Sequence, residues 1–187
     1  RSAIMTLMAE VDRLRQELDT VKQRLDKAEA EADQDGLVPT LNRRAFVREM
    51  SRIMSFGERY DLAASLIYVD LDGFKAINDA YGHAAGDAAL LHVAQLLLTN
   101  VRTSDVVGRL GGDEFGVILA KADLAQAQKK AASLATVLEK HPFKWSGQEL
   151  PLSCAFGVCM FQKGESVASA MASADKAMYA SKREKKS

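Results

Sequence analysis

The chain has 187 residues, 48% hydrophobic and 27% charged, and its 25 Lys and Arg balance 25 Asp and Glu. This is the composition of a soluble globular protein, and zero net charge excludes the broad basic footprint of a nucleic-acid binder. No apolar run reaches membrane-spanning length and no signal peptide opens the chain, so a cytoplasmic protein without membrane contact from this stretch is expected.

Any phosphate chemistry should therefore be local and metal-assisted. The first residue is not Met, which reads as a piece of a longer protein. Cys154 and Cys159 lie in one apparent strand at odd spacing, on opposite faces. They cannot bridge each other there and read as core thiols of a reducing compartment.

Residues 1–34 form a distinct object. Apolar residues fall at Ile4, Leu7, Val11, Leu14, Leu18, Val21, Leu25, Ala28 and Ala32, alternating steps of three and four. That is a heptad repeat with Ile4 at position a. In a parallel pair, each g residue faces an e residue five positions on in the partner. Here those pairs are Glu10 with Arg15, Glu17 with Lys22, and Arg24 with Glu29, all opposite in sign. The charges favour a parallel homodimeric coiled coil, a rod roughly 50 Å long.

Gly36 and Pro39 end the rod, and residues 35–187 read as one α/β (α+β) domain. The segment "NRRAFVREMSRIMSF" predicts a helix with Ala45, Phe46, Met50, Ile53 and Met54 on its apolar face. Next, "LAASLIYVDL" predicts a buried central strand. The stretch 72–102 holds a short helix, a Gly-His turn and a long helix. A hairpin follows in "SDVVGRLGGDEFGVILA", then a helix, strands within 143–161 and a closing helix. This order predicts a mixed central sheet covered by helices.

The chemistry gathers at two strand ends. Asp70 closes the central strand, and Asp72 shares its face if the strand persists, or else caps the next helix. In "RLGGDEFG" (109–116), Gly111 and Gly112 suit a two-residue hairpin with positive φ and leave room for a phosphate near the backbone. Asp113 and Glu114 follow, and only one of them can point toward Asp70's side. Crowded carboxylates ask for a cation, and Mg²⁺ prefers one or two of them plus phosphates.

"GGDEF" behind "DVVGRL", with "DLDGFKAINDAYGHAAGD" upstream, closely resembles the GGDEF family of diguanylate cyclases over about residues 35–186. The family's fold is similar to nucleotide cyclases and polymerase palms. Its members are nucleotidyltransferases that join two GTP into cyclic di-GMP and release two pyrophosphates. The resemblance implies Asp70, the Leu71 carbonyl and Asp113 as ligands of Mg²⁺, with Mn²⁺ as the alternative ion. It makes Asp113 the acceptor of the ribose 3′-hydroxyl proton and Glu114 its catalytic neighbour. Asn78 and Asp87 match guanine-reading positions, His83 another substrate contact, and Lys75 and Lys182 phosphate contacts.

Arg102 and Asp105 form an R-x-x-D pair separated from Gly111 by the five residues "VVGRL", the offset of the family's inhibitory site for product. An Arg fork suits a phosphate or the Hoogsteen edge of guanine, and Asp105 suits its N1 and N2 donors.

Two features depart from the family pattern. Val38, Pro39 and Thr40 replace Thr-Gly-Leu in the 35–44 turn, and a C-terminal "GRN" is missing, with Lys186 near its arginine.

The rival to a cyclase is a catalytically inactive receptor for cyclic di-GMP, against which the intact Asp70, Asp113 and Glu114 weigh. Because the product needs two bonds made in opposite senses, two domains must face each other, and a coiled coil raises their effective concentration. Removing residues 1–34 is therefore expected to leave GTP binding intact while making synthesis steeply dependent on protein concentration. Equal specific activity of both forms at dilute protein contradicts this.

Overall fold

A computed structural model of the chain describes residues 2–185. The chain divides into two units, Arg1–Gln34 and Asp35–Ser187. In the first, α1 (Ser2–Asp33) is one helix with no buried residue. Its heptad positions stand exposed, from 39% at Val11 to 65% at Leu7. Arg13 binds both Glu10 and Glu17 at 2.5 Å along the same helix. The two acids expected to reach across a dimer thus already hold a cation in cis, and each such exposed contact is worth only a few tenths of a kcal/mol.

In the second unit the central apolar run becomes β1 (Ala64–Asp72), buried along all but its last residue. Burial on both faces requires cover on both. The remaining helices are α2 (Arg43–Tyr60), α3 (Phe74–Tyr81), α4 (His83–Thr99), α5 (Leu124–Lys140) and α6 (Val167–Lys185). The other long strands are β2 (Val106–Arg109), β3 (Glu114–Ala120) and β6 (Ser153–Met160), while β4 (Lys144–Trp145) and β5 (Gln148–Glu149) form a separate small hairpin.

The main sheet runs β2-β3-β1-β6, and its three ladders are all antiparallel. Each helical crossover joins strands that run in the same sense but have another strand seated between them. This is the split βαβ arrangement. A parallel bridge from Leu41 to Gly108 contributes to the parallel component of the expected mixed sheet.

Alternation along β1 divides the core. Ile67, Val69 and Leu71 pack with Leu90 and Val93 of α4 and Leu134 of α5. Leu66 and Tyr68 pack on the other face with Phe46 and Met50 of α2 and Ala174 and Met178 of α6. Asp70 continues that even series, so it lies on the α2/α6 side. Cys154 and Cys159 fall in the two different clusters and do not bridge each other, as their odd spacing predicts.

Missing side chains set two helix positions. Gly108 and Gly116 pair across β2 and β3, and a Cβ on either would stand 2.5 Å from the Phe46 ring. The pair is a slot for α2. A Cβ on Gly157 would overlap the backbone of Ala174 and Met178, so α6 lies directly on β6.

The departure at residues 38–40 is absorbed locally. Asp35 Oδ1 accepts from the N–H groups of Leu37 and Val38 at 2.9 and 3.1 Å, and Val38 and Thr40 are each 2% exposed. Pro39 therefore sits in a turn organised around the Asp35 carboxylate, and Asn42 caps the helix that follows.

Gly157→Ala is expected to cost about 1–3 kcal/mol by forcing α6 off the sheet. Gly112, with open space around it, is expected to accept Ala with little change. Equal melting temperatures for native protein and Gly157→Ala contradict the assigned contact.

Candidate active site

The register of β1 on β3 places Asp70 directly opposite Glu114, with Asp113 just beyond the start of β3. The Asp113 carbonyl accepts from the Leu71 N–H at 3.0 Å. Side-chain alternation thus selects Glu114, rather than Asp113, as the acid directly across from Asp70 on the α2/α6 side.

The turn is wider than the expected two-residue Gly-Gly loop. Residues 110–113 connect the strands, and the N–H groups of Leu110 and Gly111 both donate to the Glu114 carbonyl. Neither Gly111 nor Gly112 has positive φ. Gly111 is needed for space instead, because a Cβ there would stand 2.6 Å from Glu114 Oε2.

Two arginines hold this turn from behind. Arg43 donates to the Leu110 carbonyl at 3.0 Å. Arg109 donates to the carbonyls of Gly111 and Gly112 at 3.1 and 2.8 Å, and to Asp35 at 3.2 Å. Burial alone would raise the Asp35 pKa, but the N–H groups of Leu37 and Val38, together with Arg109, hold it below the ordinary value. Neither arginine stands out as a site residue in the sequence, since guanidinium-to-carbonyl bonds follow no spacing rule.

Asp70 is 8% exposed. Lys182 of α6 pairs with its Oδ2 and reaches Asp72 Oδ1 at 3.3 Å. Asp72 is therefore a second anchor for Lys182 and not a helix cap: the cap of α3 is Gly73, at φ 89° and without a side-chain bond. Burial would lower the Lys182 pKa, yet its bonds to Asp70 and Asp72 raise it. Burial raises the Asp70 pKa despite Lys182, and the charge of Asp113 adds to the rise. Glu114 is likewise raised, first by burial and then by Asp70, Asp113 and Asp175, against a hydrogen bond of 3.1 Å from Tyr68 Oη. Tyr68 lies two residues before Asp70 on the same face, a signal that period-two counting contains and that sequence reading missed.

Whether a cation fits can be judged from Asp70 Oδ1, which is buried and lacks a hydrogen-bond partner. An orphaned carboxylate oxygen among mutually repelling acids is unfavourable unless a positive charge satisfies it. Among the described residues no three acid, His or Cys side chains form a ready cage. Mg²⁺ asks for less: one or two carboxylates, with phosphates and water completing the shell. The unpartnered Asp70 oxygen beside the acids of the facing strand end has the donor chemistry such an ion takes.

The expected base-reading residues sit on the helices that leave β1. Asn78 lies on α3, Asp87 one turn beyond His83 on α4, and Gly82, at φ 86°, makes the break between them. Asn78 Oδ1 is also buried without a partner, and it lies so close to Gly86 that a Cβ there would overlap it. Gly86 thus makes room for the amide beside Asp87. Lys75, one turn before Asn78, and His83 are both exposed. Lys186 lies outside the described residues.

Arg102 and Asp105 stand at the other end of the β2–β3 hairpin. Asp105 Oδ2 accepts from the Arg102 N–H at 2.9 Å and Oδ1 from the Ala120 N–H at 3.2 Å. The two residues line a cavity of about 380 Å³ with Lys121, Lys129 and Lys130. A groove of about 550 Å³ between α2 and α6 reaches Tyr68, Arg43 and Asp175.

Comparison with known proteins agrees with this architecture. Residues 32–187 match the family model described as diguanylate cyclase, GGDEF domain. The chain is 36% identical over 152 residues to probable diguanylate cyclase DgcE of Escherichia coli K12, covering 81% of this chain and 14% of that protein. It is 35% identical to diguanylate cyclase DosC of the same organism, covering 82% of this chain and 34% of that one. It thus spans about a third of the length of one of these relatives and about a seventh of the other. Among solved structures, the coiled coil and GGDEF domain of DgcB from Caulobacter crescentus, in complex with c-di-GMP, superposes with a TM-score of 0.84. The identity is 26%, with 95% of each chain covered. A sensory box/GGDEF family protein from the same organism gives 0.76 at 34% identity, over 81% of this chain and 99% of that one.

The repulsion at Glu114 is testable apart from any reaction. Its raised pKa means that the folded state binds more protons than the unfolded chain just above the ordinary carboxylate range. Its contribution to stability therefore falls as pH rises through that window. Glu114→Gln keeps an acceptor for Tyr68 and removes the charge, so it is expected to melt a few degrees higher above that window, at about 2–4 °C per kcal/mol. A lower melting temperature contradicts this account.

Proposed function

Because the chain belongs to the GGDEF family of diguanylate cyclases, we propose that it condenses two GTP into cyclic di-GMP with release of two pyrophosphates. The observation that carries this reading is the unpartnered Asp70 oxygen in a cluster completed by Asp113 and Glu114 from the neighbouring strand. A pure receptor has no use for such a cluster.

In the proposed reaction Asn78 and Asp87 take the edge of one guanine. An amide and a carboxylate complement its O6 acceptor and its N1 and N2 donors. His83 and the exposed Lys75 flank the nucleotide. Asp70, the Leu71 carbonyl and Asp113 would hold Mg²⁺, or Mn²⁺ in its place. When bound, this ion supplies Lewis-acid stabilisation of charge on the phosphoryl oxygens. Asp113 accepts the proton of the ribose 3′-hydroxyl, and the freed oxygen attacks the α-phosphorus of the nucleotide held by the facing domain. Tyr68 and Gly111 keep the Glu114 carboxylate in place beside it. Lys182 neutralises the departing pyrophosphate.

Each domain makes one of two equivalent bonds, so the active unit is a homodimer. The exposed heptad face of α1 supports pairing through a parallel coiled coil. Product held at Arg102 and Asp105 restrains synthesis, the two sites lying at opposite ends of one hairpin. No helix among the described residues is long and apolar enough to cross a membrane, and we place the activity in the cytoplasm, where GTP and Mg²⁺ are available.

Incubation with GTP and Mg²⁺ is expected to yield pyrophosphate and a cyclic dinucleotide, and Asp113→Asn to yield neither. Arg102→Ala is expected to relieve product inhibition, read as progress curves that no longer bend. Tight binding of cyclic di-GMP without pyrophosphate release would instead identify a receptor.

A further inference from the structure

We infer that the β4–β5 hairpin is the gauge of the base-reading cleft: Phe143 and Leu150 are positioning residues that set how Asn78 on α3 meets a purine held against Asp87 on α4. This rests on the reading of Asn78 and Asp87 as base contacts and assigns residues from a segment that no sequence motif marks.

The helix that carries Asn78 cannot hold its own place. It has eight residues and one buried side chain, Ile77, immediately before Asn78. So short a helix owes its order to tertiary packing. Ile77 sits in a small core cluster of its own, with Ala85 and Ala89 from α4 and Phe143 and Leu150 from the ends of the hairpin. The alanines give α3 little bulk to lean on. The large side chains around Ile77 are therefore those of the hairpin segment, with Trp145 packed against them.

The same segment touches both helices in other ways. A Cβ on Gly73, the N-cap of α3, would stand 2.9 Å from the Pro151 carbonyl oxygen. On α4, His92 Nε2 donates to the His141 carbonyl at 2.8 Å, and its ring lies 5.7 Å from that of Phe143. The Leu150 N–H donates to the Phe143 carbonyl at 2.9 Å, which couples the two anchors. Residues 141–151 thus brace α3 and α4 together.

The tolerance of the cleft is narrow. Asn78 Oδ1 is buried without a partner, and a Cβ on Gly86 of α4 would overlap it. A shift of α3 by the width of a methyl group takes the amide off the line a base edge requires, and hydrogen bonds weaken steeply with such displacement. A smaller side chain at 143 or 150 opens the space that permits the shift, because packed surroundings relax part of the way into a void.

The test is titration of the full chain, with Mg²⁺, by the α,β-methylene analogue of GTP, which cannot release pyrophosphate. Trp145 is the one tryptophan of the chain, so its emission reports on the hairpin while calorimetry gives the affinity. Leu150→Ala is expected to weaken binding about tenfold and Phe143→Leu a few-fold, the scale of one misdirected polar contact. Leu150→Met, which conserves volume, is expected to bind like native protein. In an Asn78→Ala background Leu150→Ala is expected to add no further loss, because it acts through that amide. Circular dichroism checks folding, and Phe143→Leu, the milder change, carries the test if Leu150→Ala does not fold. If the folded hairpin variants bind like native protein while Asn78→Ala weakens binding, the proposal falls. It falls equally if Leu150→Ala costs as much without the Asn78 amide as with it. If Asn78→Ala itself binds like native protein, the base-reading assignment falls instead, and the two failures are told apart.

Discussion

The antiparallel pairing of β1 with β3 is the constraint on which the rest depends. It brings Asp70 opposite Glu114 and ties Leu71 to the Asp113 carbonyl, so three acidic residues lie at one sheet end and feel one another's charge. Their mutual repulsion, intensified by burial, is a cost that folding alone does not recover. Lys182 offsets part of it, and the orphaned Asp70 oxygen marks the remainder.

Much of the surrounding architecture serves to keep that arrangement in register. Gly157 lets α6 lie on the sheet, which brings Lys182 to Asp70 and Asp72. Gly111 leaves space for the Glu114 carboxylate, and Tyr68 donates to it from below. The carbonyls of residues 110–113 all accept hydrogen bonds, from Arg43, Arg109 and the Leu71 N–H. A four-residue turn so thoroughly held has little freedom to let its acid groups drift, and preorganised charge is the form in which a protein contributes most to phosphoryl chemistry.

The same hairpin also links two ends of the domain. Its closed end carries the acids, and its open end carries the Asp105 turn and the basic cavity under α5. Arg109, at the end of β2, contacts both the acid-bearing turn and Asp35 at the start of the domain. One short hairpin therefore connects the candidate site, the cavity beside Arg102 and the first residue of the domain.

The heptads, the order of helices and strands, and the acids at Asp70 and Asp113–Glu114 were legible in the sequence, because periodicity and strand-end chemistry are local properties. So was the choice between faces for Cys154 and Cys159, which follows from counting by two. The antiparallel character of every main ladder was not, since it depends on which strand is inserted between the two ends of a crossover. Nor was the role of Gly111, where room for Glu114 outweighs backbone freedom, or that of Asp72, which binds Lys182 from a helix 110 positions later. Tyr68, Arg43 and Arg109 gain their meaning only from packing of distant segments. Sequence determines which groups a segment can offer; tertiary structure decides which of them meet, because burial and repulsion act between neighbours in space.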